Sequence, residues 1–209
     1  LLQAIVIHRA GSRYYYRKIC NYSLKIKAYK DAIFYSRKAI ALNPKNASAH
    51  ADLARIYHKA GQTQKAIASY NEAIHLRPQG YGYSLALANL LRKAGQLRKA
   101  ASLYRFVLKH SKDGRIIYDS ALQAINILLP LKATKPLEGE LQTLAEQNPR
   151  ELSYFQALAE LYQRQGRMKE YNIAYLRAAA TVDQKSQVYK QLAEVAQEQG
   201  DIDKTIIYL

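Results

Sequence analysis

Pro44 and Pro78 stand 34 residues apart, and the same step recurs along most of the 209-residue chain. Ala32, Ala66 and Ala100 follow it, as do the pairs Leu53/Leu87, Ala54/Ala88, Gly61/Gly95 and Tyr70/Tyr104. Near the C-terminus it returns in Leu158/Leu192, Ala159/Ala193 and Gly166/Gly200. A fixed period of this length is the signature of a solenoid, in which one supersecondary unit is repeated and each copy packs mainly on its neighbours. That architecture presents long surfaces, so it points to binding and away from a pocket enzyme.

Residues 47–80 show the unit most clearly. Leu53, Ala54 and Tyr57 share one face of a first helix. Gly61 ends it, where a left-handed cap suits a residue without Cβ. Ala66, Ile67, Tyr70, Ala73 and Ile74 are spaced three and four apart in a second helix, and Pro78 opens the turn into the next unit. Small residues stand where two helices must approach closely, and large ones where gaps need filling.

This pattern resembles the tetratricopeptide repeat. His50, Leu53, Ala54, Tyr57, Ala66, Tyr70, Ala73 and Pro78 occupy its diagnostic places, with His50 in the place of the usual aromatic. The resemblance implies an all-α fold: a right-handed α-solenoid superhelix of helix-turn-helix repeats. In register we expect units at 13–46, 47–80, 81–114, 152–185 and, in part, 186–209, with 1–12 as the remnant of a preceding repeat. Ser36 replaces the expected aromatic of the first full unit, Lys112 the proline of the third, and Tyr171 the alanine of the fifth. The unit at 115–151 is degenerate. Gly95 to Gly166 spans two periods plus three residues, and we place the insertion near Pro130 to Pro136. Leu137, Leu141 and Leu144 hold its second-helix places. The absence of an initiator Met, and a helical pattern running to Leu209, lead us to expect a piece of a longer protein.

Charge is unevenly spread. Residues 1–112 carry 21 Lys and Arg against Asp31, Asp52 and Glu72, a surplus of 18. Residues 113–209 carry 11 against 13 acidic residues, a deficit of two. So basic a first half should attract an anionic partner. In this family the first helix of each unit lines the concave groove. The resemblance therefore implies a groove built by Arg17, Lys18 and Asn21 in the first unit. Arg55, His58 and Lys59 follow in the next, and Asn89, Arg92 and Lys93 in the third. Asp52 and Ala86 share the same register, and Gln156, Glu160, Arg164, Lys190, Gln191, Glu194 and Glu198 continue it toward a mixed or acidic end. Lys25, Lys59 and Lys93 form a ladder at the 34-residue period.

No phosphate-cradling loop, zinc-spaced His pair or acid/base carboxylate pair is present, so we expect no enzyme, no cofactor and no metal. Cys20, the only cysteine, reads as core filler. Eighteen tyrosines invite a stacking role, but eight of them, Tyr57, Tyr70 and Tyr104 included, hold core register. Tyr14, Tyr15, Tyr22, Tyr81, Tyr83 and Tyr154 are left for packing or for a groove. The carboxylate clamp of chaperone-binding relatives is not reproduced. Arg17 and Asn21 fit it, but Asp52, Gly82 and Ala86 do not.

The expected function is a scaffold or adaptor that binds a protein or peptide, preferably acidic, along the groove. A second reading follows from similarity to the superhelices that precede the porin in bacterial exopolysaccharide secretion proteins, with a polysaccharide as ligand. Nucleic acid ranks third, since charge alone favours it. No segment is apolar enough to span a bilayer as a helix. Cytoplasm and bacterial periplasm both fit.

Overall fold

The structure, a computed structural model, describes residues 13–180 together with Lys190 and Gln197. The expected remnant at 1–12 lies outside the described residues. So does nearly all of the partial unit at 186–209, with its groove positions Gln191, Glu194 and Glu198. Ten helices are described, in five pairs: α1 (Arg13–Lys25) with α2 (Tyr29–Leu42), α3 (Ala47–Lys59) with α4 (Thr63–Leu76), α5 (Tyr81–Lys93) with α6 (Leu97–His110), α7 (Gly114–Leu128) with α8 (Lys135–Gln147), and α9 (Leu152–Arg164) with α10 (Met168–Ala180). The fold is an all-α solenoid of helix pairs. It divides into two compact units, the first ending at Leu103 and the second beginning at Tyr104, so the division runs through α6.

Within each pair the turn is set by one residue of left-handed backbone. Gly61, Gly95 and Gly166 have φ of +74°, +75° and +71°. Lys27 and Lys132 take the same conformation at φ 59° and 50°. A side chain there crowds the following carbonyl, which is why glycine is the usual occupant. These five positions mark the register: 27, 61, 95, 132 and 166. The three extra residues therefore fall before Lys132. The segment between α7 and α8 covers 129–134, six residues against three in 60–62. The helix α7 also begins at Gly114, one residue ahead of the expected unit boundary, because the Asp113 carboxylate caps it. Its Oδ1 accepts from the backbone N–H groups of Arg115 (2.9 Å) and Ile116 (3.3 Å). Gly114 also leaves room for α9, since a Cβ there would lie 2.6 Å from Ser153 Oγ and that side chain would have to shift.

In the first unit the core is built as the period predicts. Ala32, Ala54, Ala66 and Ala88 are fully buried where helices approach. Leu53 and Tyr57 of α3, Ala66 of α4 and Leu90 of α5 form one cluster, flanked by Ile33 and Ile40 of α2 and by Tyr70. A second cluster joins Cys20 and Leu24 of α1, Ala32 of α2 and Ile56 of α3. Consecutive pairs thus bury each other's faces, which no pair could do alone.

The second unit keeps the packing logic with bulkier residues. Leu137 and Leu141 are fully buried in α8, and Leu144 is half-buried. Polar ties are added. Tyr162 Oη accepts from Gln142 Nε2 at 2.9 Å. Arg105 grips Glu140 with two guanidinium nitrogens, and Lys109 Nζ lies 2.7 Å from the same carboxylate. Arg167 bridges Glu138 at 2.8 Å and Glu170 at 2.9 Å.

Candidate functional site

All nine residues expected to line the groove are exposed, and all belong to the first unit. Arg17, Lys18 and Asn21 are on α1; Arg55, His58 and Lys59 on α3; Asn89, Arg92 and Lys93 on α5. The structure does not use them uniformly. Lys25, Lys59 and Lys93 are each the last residue of their helix, and His58 and Arg92 share those last turns. A cation there meets the negative end of the helix dipole, worth about 0.3–1 kcal/mol. Part of the lysine ladder therefore has a structural reason. Arg17, Lys18, Asn21, Arg55 and Asn89 stand further from the helix ends and owe nothing to it.

Arg55 is the one residue of the nine in an ion pair among the described residues. Its Nη2 lies 3.0 Å from Asp52 Oδ1, one turn earlier, with both side chains well exposed. Lys18 Nζ sits 4.8 Å from the centre of the Tyr14 ring, and a hydrogen bond with the Tyr14 side chain raises its pKa.

Two of the nine are brought into a shared cavity. Arg17 and Asn21 line a cleft of about 320 Å³ that opens among α1, α2 and α3. Tyr14, Asn46, Ser48, Ala49 and Asp52 form the rest of its rim, and Cys20, Ser36 and Ala39 its floor. Asn46 is already committed: its Oδ1 caps α3, accepting from the N–H groups of Ser48 (3.1 Å) and Ala49 (3.3 Å). Cys20 is buried, and burial, with Asp52 adding to it, pushes its thiol up to about 11. It stays protonated at neutral pH and serves as packing, as its place in the repeat suggested. Lys18, Arg55, His58, Lys59, Asn89, Arg92 and Lys93 lie outside this cleft.

No spacing or motif announced the cleft as such. Its one trace was Ser36, the small residue in an aromatic's place. The tyrosines left without a role divide. Tyr154 is a packing residue, buried, with its hydroxyl donating to the Leu108 carbonyl at 3.3 Å. Tyr15, Tyr81 and Tyr83 are half-buried, while Tyr14 and Tyr22 are about half exposed at 52% and 51%. Among the described residues no cluster of three or more His, Cys, Asp and Glu is placed to hold a metal, and no helix is long and apolar enough to cross a membrane.

Paired antiparallel helices, left-handed turns at one period and alanine contacts between pairs define the class: an α-solenoid of helical hairpins. Residues 24–79 match the family profile of the tetratricopeptide repeat. No curated protein matches it in sequence. Solved structures similar to it include YrrB, described as a tetratricopeptide-repeat protein with an unusual peptide-binding site. That likeness has 13% identity and a TM-score of 0.55, over 90% of this chain and 95% of that one. MamA is similar at 14% identity and a TM-score of 0.54, over 84% and 94%. The pilF protein of Pseudomonas aeruginosa is similar at 16% identity and a TM-score of 0.51, over 94% and 88%. At these identities the likeness concerns the fold.

Proposed function

We propose that this chain binds an acidic, extended segment of another protein along the first helices of its N-terminal pairs. The tetratricopeptide-repeat fold is in general a scaffold for protein–protein interaction, and YrrB carries a peptide-binding site by its own description. The observation that carries the acidic preference is the charge on α1, α3 and α5. Arg17, Lys18, Lys59, Arg92 and Lys93 are exposed there without an ion-pair partner among the described residues, and Asp52 is the only carboxylate on the three helices. Carboxylates of a partner would complete charge-assisted hydrogen bonds that the chain itself leaves unmade. A repeat surface suits an extended ligand, because successive pairs offer successive contacts.

The test is a titration of a fluorescently labelled Glu/Asp-rich peptide, followed by anisotropy. The variant carrying Arg55→Glu, Arg92→Glu and Lys93→Glu should bind at least about tenfold more weakly. Arg150→Glu, an exposed change in the second unit, should leave affinity unchanged. Equal affinity for the triple variant would remove the reading. Binding of an anionic oligosaccharide, with none of the peptide, would put the polysaccharide reading in its place.

A further inference from the structure

One position in the first unit breaks the register in a way that shapes the surface. Tyr70 of α4 and Tyr104 of α6 are 34 residues apart, and 34 residues before Tyr70 stands Ser36 of α2. Tyr70 packs against the cluster of Leu53, Tyr57, Ala66 and Leu90, and its hydroxyl feels Arg55 and Asp52 on α3. One period earlier, the counterpart of Arg55 is Asn21, which lines the cleft over Ser36. The cleft therefore occupies the place that a tyrosine ring fills in the next pair. Its floor is small and buried: Cys20, Ser36 and Ala39 are each no more than 7% exposed. Its rim is polar and carries a cation, Arg17, and a carboxylate, Asp52, which is already paired with Arg55 at 3.0 Å.

We propose that this cleft receives an aromatic side chain from the partner polypeptide. The ring would rest on Ser36 and Ala39 as Tyr70 rests on its own cluster, and a tyrosine hydroxyl would meet Asn21. Arg17 at the rim would take a carboxylate next to the aromatic in the partner. The occupant follows from shape, since the cavity is one that the repeat elsewhere fills with a phenol, and from Arg17, the rim cation that no carboxylate of the described residues engages. This inference rests on the peptide-binding reading above and adds a specificity to it: acidic residues flanking an aromatic. Aromatic side chains suit such a role because they bring a large rigid area with little conformational freedom to lose.

Two measurements test it. The first adds p-cresol, the tyrosine side chain without charge, to the ¹⁵N-labelled chain. Saturable shifts should be confined to the amides of Cys20, Ser36, Ala39 and Ala49. Ser36→Tyr, which fills the cleft with the chain's own ring, should abolish them and raise the melting temperature. Ala49→Leu narrows the cleft from the rim and should also abolish them, so the test survives if Ser36→Tyr fails to fold. Absent shifts in the native chain, or shifts retained in both variants, overturn the inference. The second compares acidic peptides with a central Tyr or Ala. The Tyr peptide should bind the native chain about tenfold more tightly, and Ala49→Leu should erase the difference. Equal binding of the two peptides also overturns it. Since p-cresol is uncharged, its failure leaves the electrostatic reading intact, and failure of the charge-reversal experiment leaves this one standing.

Discussion

The two units of this molecule share a fold and spend their charges differently. In the first, Asp52–Arg55 is the one ion pair among the described residues, and Arg17, Lys18, Lys59, Arg92 and Lys93 face water. In the second, Arg105 and Lys109 converge on Glu140, Arg167 joins Glu138 and Glu170, and Arg164 holds Glu160. Helix packing accounts for neither arrangement. It asks only for alanines at the close approaches, large residues in the gaps and a left-handed residue in the turn. The remaining surface is open to other uses. One unit uses charge to tie its own helices together, and the other holds it out.

Glu140 offers the largest break in that comparison. Burial disfavours its charged form, but hydrogen bonds from Arg105 and Lys109 outweigh this and hold the carboxyl below its ordinary value of 4.5. A lowered folded-state pKa stabilises above the unfolded value and is lost as pH falls through the folded one. Glu140→Gln should cost about 1–2 kcal/mol at neutral pH, reduced from the full charged hydrogen-bond value by partial exposure. In urea denaturation this variant should also lose less stability than the native chain as pH falls below the ordinary carboxylate value of 4.5. An unchanged midpoint at neutral pH would show that the second unit's ion pairs contribute no more than surface charge.

A smaller effect concerns the turns. Lys27→Gly should stabilise by about 0.5–1 kcal/mol, because the left-handed φ of 59° is strained for lysine. Thermal melts read it directly, and a destabilised Lys27→Gly would mean that the lysine side chain makes a compensating contact. Smallest in stability is Asp52→Asn. Its exposed ion pair predicts a change within about 0.5 kcal/mol. The same substitution should tighten binding of the acidic peptide, since it removes the one carboxylate on α1, α3 and α5. Weaker peptide binding by Asp52→Asn would mean that the ion pair positions Arg55 rather than competing with the ligand.

Much of the fold could be read from the chain because packing at a fixed period leaves identical residues at identical places. Ala32, Ala66 and Ala100 declared the close approaches, and Gly61, Gly95 and Gly166 the turns. Lys27 and Lys132 escaped, since a lysine carries no composition signal for left-handed backbone. Tyr154 escaped too: its partner, the Leu108 carbonyl, is 46 residues away and offers no side chain to recognise. The ties of the second unit were partly within reach. Arg105 and Glu140 are 35 residues apart and Arg167 and Glu138 are 29, close to one period, where stacked pairs place residues side by side. Of the candidate site, exposure and charge followed from register alone. The cleft did not, because a missing ring becomes a cavity only once three helices are set around it.

The central claim is that the first unit's cations are held out for an acidic polypeptide. Its most direct measurement is the salt dependence of the labelled-peptide titration, from about 50 to 300 mM NaCl, where the screening length shortens from about 14 Å to about 6 Å. Affinity of the native chain should fall steeply across that range, and the triple variant Arg55→Glu, Arg92→Glu, Lys93→Glu should bind weakly throughout with little slope. An affinity that ignores both salt and charge reversal would contradict the account.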